Sequence, residues 1–107
     1  MSADPRLARL EATIRARKGG DPASSYVASL FAKGREKIAQ KVGEEATETV
    51  IAALSGDPAK LTSEAADLLF HMLILLDDGG VAFDAVLAEL ERREGVSGIA
   101  EKAARAP

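Results

Sequence analysis

The stretch at residues 41–67, KVGEEATETVIAALSGDPAKLTSEAAD, places acidic residues in two helical segments that are separated by the turn letters SGDP. Residues three apart on a helix project from neighbouring positions on one face, so Glu45 with Glu48 forms one carboxylate pair and Glu64 with Asp67 forms another. If the two helices run antiparallel, these pairs can meet around one cation. A shared cation site would therefore require a fold in which these two helical segments lie side by side.

Apolar residues recur at spacings of three and four along most of the chain, which predicts further helices. The predicted helices run from Asp4-Pro5 to about Lys18, from Ser24 or Ser25 to near Gly34, from about Arg35 to Leu54, from Asp57-Pro58 to Gly79-Gly80, and from Val81 to about Arg93. The tail EGVSGIAEKAARAP is predicted to be irregular or only partly helical. No stretch alternates with period two over a useful length, so the prediction is an all-α fold in a single domain, residues 1–107.

Gly43 lies inside the long third helix. Glycine in a helix interior costs roughly 1 kcal/mol relative to alanine. We therefore expect another backbone to approach closely at this position.

Bulk composition excludes several classes of protein. The net charge of −3 argues against broad neutralisation of nucleic-acid phosphates, and the absence of cysteine excludes a disulfide framework and thiolate metal sites. The most apolar stretch, 68–76, is too short to span a bilayer, and the N-terminus has no apolar signal region. We expect a cytoplasmic protein, and the limited core of a 107-residue chain favours association.

The acids of the fourth helix make the stronger physical case for a cation. The segment EAADLLFHMLILL is apolar nearly all round and is predicted to be buried in a bundle or an interface, so the ionised Glu64 and Asp67 need a partner. Hard oxygen ligands without thiolates suit Mg²⁺, or Mn²⁺ as an alternative, better than zinc. His71 is more simply a structural histidine that hydrogen-bonds Asp67 or an interface group, and the aromatic residues are most simply core.

Lys37 and Lys41 lie beside the acids of the third helix. Ammonium groups next to a cation site suit a metal-bound polyphosphate. Taken alone, each acid motif is better explained by a solvated helix face, and each lysine is as well explained by one. The combination of both acid pairs across a short turn makes a cation site as well supported as a solvated face.

The segment KVGEEATETVIAA is followed by EAADLLFHMLILL, and together they contain the pattern EExxE…ExxD. In this pattern the chain resembles the MazG-like all-α pyrophosphohydrolases. The segments SSYVASLFAKG and RREGVSGIAEKAAR narrow the resemblance to the phosphoribosyl-ATP pyrophosphohydrolase family of histidine biosynthesis. The resemblance implies a MazG-like helical bundle that is completed by a homodimer. It also implies Mg²⁺-dependent hydrolysis of phosphoribosyl-ATP to phosphoribosyl-AMP and pyrophosphate.

The resemblance also assigns expected roles to individual residues. The implied metal ligands are Glu45, Glu48, Glu64 and Asp67, and the expected catalytic residues are Glu44 and Glu48. Lys37 and Lys41 are the expected substrate-binding residues because they lie beside these acids. Glu44 points further from the metal, which suits an outer role such as orienting water. Two alternatives stay open: a MazG-like enzyme with another nucleoside triphosphate substrate, and a non-catalytic helical dimerisation module.

Overall fold

The computed structural model describes residues 4–95 and 98–105, and these ranges contain six helices and no strand. The helices are α1 (Pro5–Arg17), α2 (Tyr26–Lys33), α3 (Arg35–Leu54), α4 (Pro58–Asp78), α5 (Phe83–Arg93) and α6 (Gly98–Arg105). The all-α prediction is confirmed. In the tail, residues 98–105 are helical, whereas residues 96–97 lie outside the described ranges.

Side-chain caps set the starts of three helices close to the predicted positions. Asp4 and Asp57 each accept a hydrogen bond from a backbone N–H two residues later, and each precedes a proline in the first turn. Ser25 caps α2 by accepting from the Ala28 backbone N–H at 3.1 Å, which decides between the two serines that the sequence offered. These caps satisfy N–H groups that have no partner inside the helix.

α3 and α4 form an antiparallel hairpin, because a connection of only three residues joins two helices that pack along their length. The hydroxyl of Thr49 on α3 donates to the backbone oxygen of Glu45 on its own helix and to that of Glu64 on α4, at 2.8 Å and 3.2 Å. This shared hydrogen bond fixes the two helices together at the level of the acids.

The core lies at one end of this hairpin, where α1 and α2 pack against it. Its buried members are Ile14, Val27, Leu30, Ile38, Leu73 and Ile74. The other end, near the α3–α4 turn, leaves aliphatic side chains in solvent: Val50 is 59%, Ile51 62% and Leu54 84% exposed. The acids therefore lie between a packed end and an uncovered apolar end.

The expectation of a close approach at Gly43 is wrong. Gly43 is exposed, and no atom of a neighbouring element lies within 4 Å of the position that a Cβ would take. The helix is continuous through this residue although no side chain caps its N-terminus, and its packing against α2 and α4 stabilises it. Among the helices in the described ranges, none is long and apolar enough to cross a bilayer.

Candidate metal centre

Three of the four predicted metal ligands come together on the α3–α4 hairpin. One carboxylate oxygen from each of Glu45, Glu48 and Glu64 lies within 4.8 Å of the others. We call these three residues the acid cluster. The antiparallel arrangement that the sequence required is therefore present, with two acids on α3 and one on α4.

Asp67, the fourth predicted ligand, is not part of the acid cluster in this structure. Its side chain is exposed, but its negative charge acts on the acid cluster, because it contributes to raising the pKa of Glu48. Asp67 thus lies at the edge of the cluster, and its role as a ligand stays a prediction.

The burial of the acids differs from the expectation. Glu45 on α3 is the buried carboxylate, with 7% of its surface exposed, whereas Glu64 on α4 is half-buried and Asp67 is exposed. The fully buried part of α4 begins at His71, so the turn that carries Asp67 lies beyond the edge of the core. The apolar character of the α4 segment was therefore a poor guide to the burial of these two acids within one chain.

The buried carboxylate of Glu45 is incompletely partnered. Its Oε1 lies 3.7 Å from the Lys41 ammonium, but its Oε2 is buried and has no hydrogen-bond partner. Oδ2 of Asp77 also lacks a hydrogen bond, yet it lies 3.4 Å from the Lys18 ammonium. Leaving a buried charged oxygen without donor or cation is costly, so Glu45 Oε2 fits a site that is completed by a bound cation.

Glu48 and Glu45 are electrostatically linked. The pKa of Glu48 is raised above its ordinary value of 4.5, first because its protonated form donates a hydrogen bond to Glu45, and then because the charge of Glu45 repels its own. A proton thus relieves part of the repulsion within the acid cluster. A divalent cation would relieve it more completely.

Glu44 is not a member of the acid cluster. Its carboxylate accepts hydrogen bonds from the Gln40 amide at 2.9 Å and the Lys41 ammonium at 3.3 Å, and these bonds lower its pKa. Lys41 therefore bridges Glu44 and Glu45, while the charge of Lys37 helps to lower the pKa of Glu44. The cluster has cationic groups beside it, as the sequence predicted.

His71 is buried and hydrogen-bonded through both ring nitrogens. Its Nδ1 lies 2.7 Å from the backbone oxygen of Asp67, which only accepts, so we assign the ring proton to Nδ1. Nε2 then accepts from the Tyr26 hydroxyl at 2.7 Å. The predicted link to Asp67 exists, but through its backbone; the sequence carried no signal for Tyr26, which was expected in the core and is 50% exposed.

An open cavity of about 410 Å³ adjoins the acid cluster. Its lining residues are Glu48, Ile51, Ala52, Ser55, Lys60 and Glu64. Its size is within the range of small-molecule sites. Lys60, which the sequence reading did not single out, lies one helical turn before Glu64 and brings a positive charge to this cavity.

The fold and the acid cluster together define a class of protein: an all-α protein that gathers carboxylates from two antiparallel helices beside lysines. The family model described as phosphoribosyl-ATP pyrophosphohydrolase matches residues 7–94. A relative from Novosphingobium aromaticivorans, named phosphoribosyl-ATP pyrophosphatase, is 69% identical over 99 residues, which cover 92% of this chain and 92% of that protein. A relative of the same name from Rhizorhabdus wittichii is 67% identical over 99 residues, 92% of this chain and 93% of that protein. This chain belongs to the phosphoribosyl-ATP pyrophosphohydrolase family.

Proposed function

We propose that this protein hydrolyses phosphoribosyl-ATP to phosphoribosyl-AMP and pyrophosphate, the second step of histidine biosynthesis, in the cytoplasm. The observation that carries the proposal is the unpartnered Oε2 of Glu45 within a three-carboxylate cluster, in a chain of this family. Such a cluster suits a cation that binds phosphates, and the family supplies the substrate.

The proposed cation is Mg²⁺, with Mn²⁺ as an alternative. The ligands would be Glu45, Glu48 and Glu64, with Asp67 joining from the edge of the cluster. All of these offer carboxylate oxygen, and no cysteine is present in the sequence, so the donor set fits a hard cation. When bound, the cation would coordinate phosphate oxygens and lower the pKa of the attacking water.

The remaining chemistry falls to residues of the chain itself. Lys41 and Lys37 would offset the negative charge of the phosphates, and Glu44, held by Lys41, would orient the attacking water from outside the cluster. Glu48, the exposed member of the cluster, would take part in catalysis beside its role as a ligand. A bond forms from water oxygen to the α-phosphorus, the α,β phosphoanhydride bond breaks, and pyrophosphate leaves without a covalent protein intermediate.

We also propose that two copies associate through the uncovered end of the α3–α4 hairpin. Val50, Ile51 and Leu54 expose aliphatic surface there, and Leu61 on α4 adds a further 38%-exposed side chain. Contiguous apolar surface on a small soluble domain is typical of an interface, and a second copy would complete the helical bundle. Light scattering should give twice the mass of one chain, and Ile51→Glu should lower it; a monomeric wild type contradicts the proposal.

The decisive test of the function is a substrate panel. Phosphoribosyl-ATP and a set of nucleoside triphosphates are incubated with the protein and Mg²⁺, and pyrophosphate release is measured. Turnover of phosphoribosyl-ATP well above all others is expected. Preference for another triphosphate would mean that the substrate is different but that the hydrolysis is of the same kind. No turnover of any of them would favour a non-catalytic dimerisation module.

A further inference from the structure

The ring of Tyr26 is half-exposed but rigidly held. Its hydroxyl donates to the buried His71 at 2.7 Å, and its ring stacks on Phe70 with centroids 6.4 Å apart and planes 19° from parallel. The His71 ring meets Tyr26 edge-on at 5.6 Å. A partly exposed aromatic ring that is fixed at its hydroxyl end and backed by a second ring forms a flat apolar surface of defined orientation.

This surface lies next to the proposed phosphate site. The Tyr26 hydroxyl is linked through the two ring nitrogens of His71 to the backbone oxygen of Asp67. The pKa of Tyr26 is raised, first by burial; the charge of Lys41 lowers it and the charge of Glu45 raises it. These contacts place the Tyr26 side chain near the turn that carries Asp67 and within electrostatic range of Lys41 and Glu45, two of the groups proposed to hold the cation and the phosphates.

We infer that Tyr26 is the platform on which the purine base of the substrate stacks. The inference rests on the proposed function, because it takes phosphoribosyl-ATP as the ligand. With the triphosphate held at the acid cluster and Lys41, the base needs a flat apolar surface within the length of one nucleotide, and aromatic side chains stack on bases through their π-faces. A ring whose orientation is already fixed loses little entropy when the base binds.

The competing explanation is that Tyr26 serves only to tie α2 to α4 through His71. Two substitutions separate these roles. Tyr26→Phe keeps the ring and removes the hydroxyl, whereas Tyr26→Leu removes the aromatic surface as well. Stacking requires that Phe be tolerated and Leu not, while a purely structural hydrogen bond requires that both variants fail alike.

Steady-state kinetics with saturating Mg²⁺ provides the first measurement. We expect the KM of Tyr26→Phe for phosphoribosyl-ATP to stay within about twofold of wild type and that of Tyr26→Leu to rise about tenfold, the effect of losing one base–aromatic stack. Inhibition by tripolyphosphate, which has no base, should be the same in all three proteins. Equal KM values for Leu and Phe, whether both raised or both normal, would overturn the inference. Ser29→Ala, which removes another hydroxyl of α2 that donates to the Tyr26 backbone, is the matched control and should leave KM unchanged.

Fluorescence provides a second measurement that needs no turnover. Tyr26 is the single tyrosine and the sequence has no tryptophan, so all tyrosine emission reports this ring. Phosphoribosyl-AMP, added in increasing concentration, should quench the emission, whereas pyrophosphate over the same concentration range should not. Unchanged emission with phosphoribosyl-AMP overturns the stacking role even in wild-type protein. Wild-type turnover tests the proposed function separately, so failure of one is distinguishable from failure of the other.

Discussion

His71 and Glu45 are buried to nearly the same extent, yet they differ in whether their polar atoms have hydrogen-bond partners. His71 is 5% exposed and both of its ring nitrogens are hydrogen-bonded, to Tyr26 and to the Asp67 backbone. Glu45 is 7% exposed and one of its carboxylate oxygens has no hydrogen-bond partner. The same degree of burial therefore accompanies a completed polar group in one case and an incomplete one in the other.

This difference distinguishes a residue with a structural role from a residue with a proposed ligand-binding role on the same hairpin. A buried polar group whose partners are all present stabilises and orients the elements that it joins, here α2 and α4. A buried carboxylate oxygen without a partner destabilises the protein unless a ligand supplies the missing charge. The cation that we propose at Glu45 would convert this cost into binding free energy.

Glu45→Gln should have the largest effect on activity. The amide keeps the size of the side chain but removes the charge that a cation needs, so we expect turnover of phosphoribosyl-ATP to fall by more than about 100-fold. Circular dichroism should show an unchanged helical content. Glu36→Gln, an exposed acid in the first turn of the same helix, is the control and should retain activity. Near-normal turnover of Glu45→Gln would contradict the proposal that Glu45 binds the cation.

Adding Mg²⁺ should raise the thermal stability of the wild type but not of Glu45→Gln. A ligand that binds only the folded state adds about 2.7 kcal/mol to the free energy of unfolding at a concentration 100 times its Kd. The comparison requires melting curves of both proteins with EDTA and with increasing Mg²⁺. If EDTA-treated and Mg²⁺-loaded wild type melt at the same temperature, Glu45 does not bind the cation in the folded protein.

Local signals in the sequence were sufficient for the helices but not for the burial of the acids. Asp4 with Pro5 and Asp57 with Pro58 mark helix starts through their own backbone chemistry, so the predicted starts lie close to the observed ones. Burial depends on which neighbouring helix covers a given turn, and the nearly all-round apolar character of this part of α4 does not reveal that, within one chain, Glu64 is only half-buried and Asp67 is exposed. Tyr26 was missed for the same reason, because its partner His71 is 45 residues away in the chain.

Tyr26→Phe should reduce stability through His71 and leave the cation site intact. Without the hydroxyl, the buried Nε2 of His71 loses its donor, and the free energy of unfolding should fall by about 1–3 kcal/mol. The stabilisation by Mg²⁺ should equal that of the wild type, since the acid cluster is unchanged. Urea unfolding with and without Mg²⁺ measures both quantities. A lost Mg²⁺ effect in this variant would show that the two buried groups are not independent.

The smallest expected effect is the pH dependence that Glu48 contributes to the metal-free protein. Its pKa in the folded state is raised above 4.5 by Glu45, so its stabilising contribution is present below 4.5 and is lost as the pH rises through the folded-state value. The glutamine of Glu48→Gln cannot ionise. In EDTA the melting temperature of this variant should therefore match that of the wild type at about pH 4 and exceed it at about pH 7. Because Glu48 is exposed, added salt should reduce this difference in melting temperature. Saturating Mg²⁺ should reverse the difference, since only the wild type has the Glu48 carboxylate to bind the cation. A difference that stays constant with pH in EDTA would mean that the repulsion between Glu45 and Glu48 is already relieved without a cation.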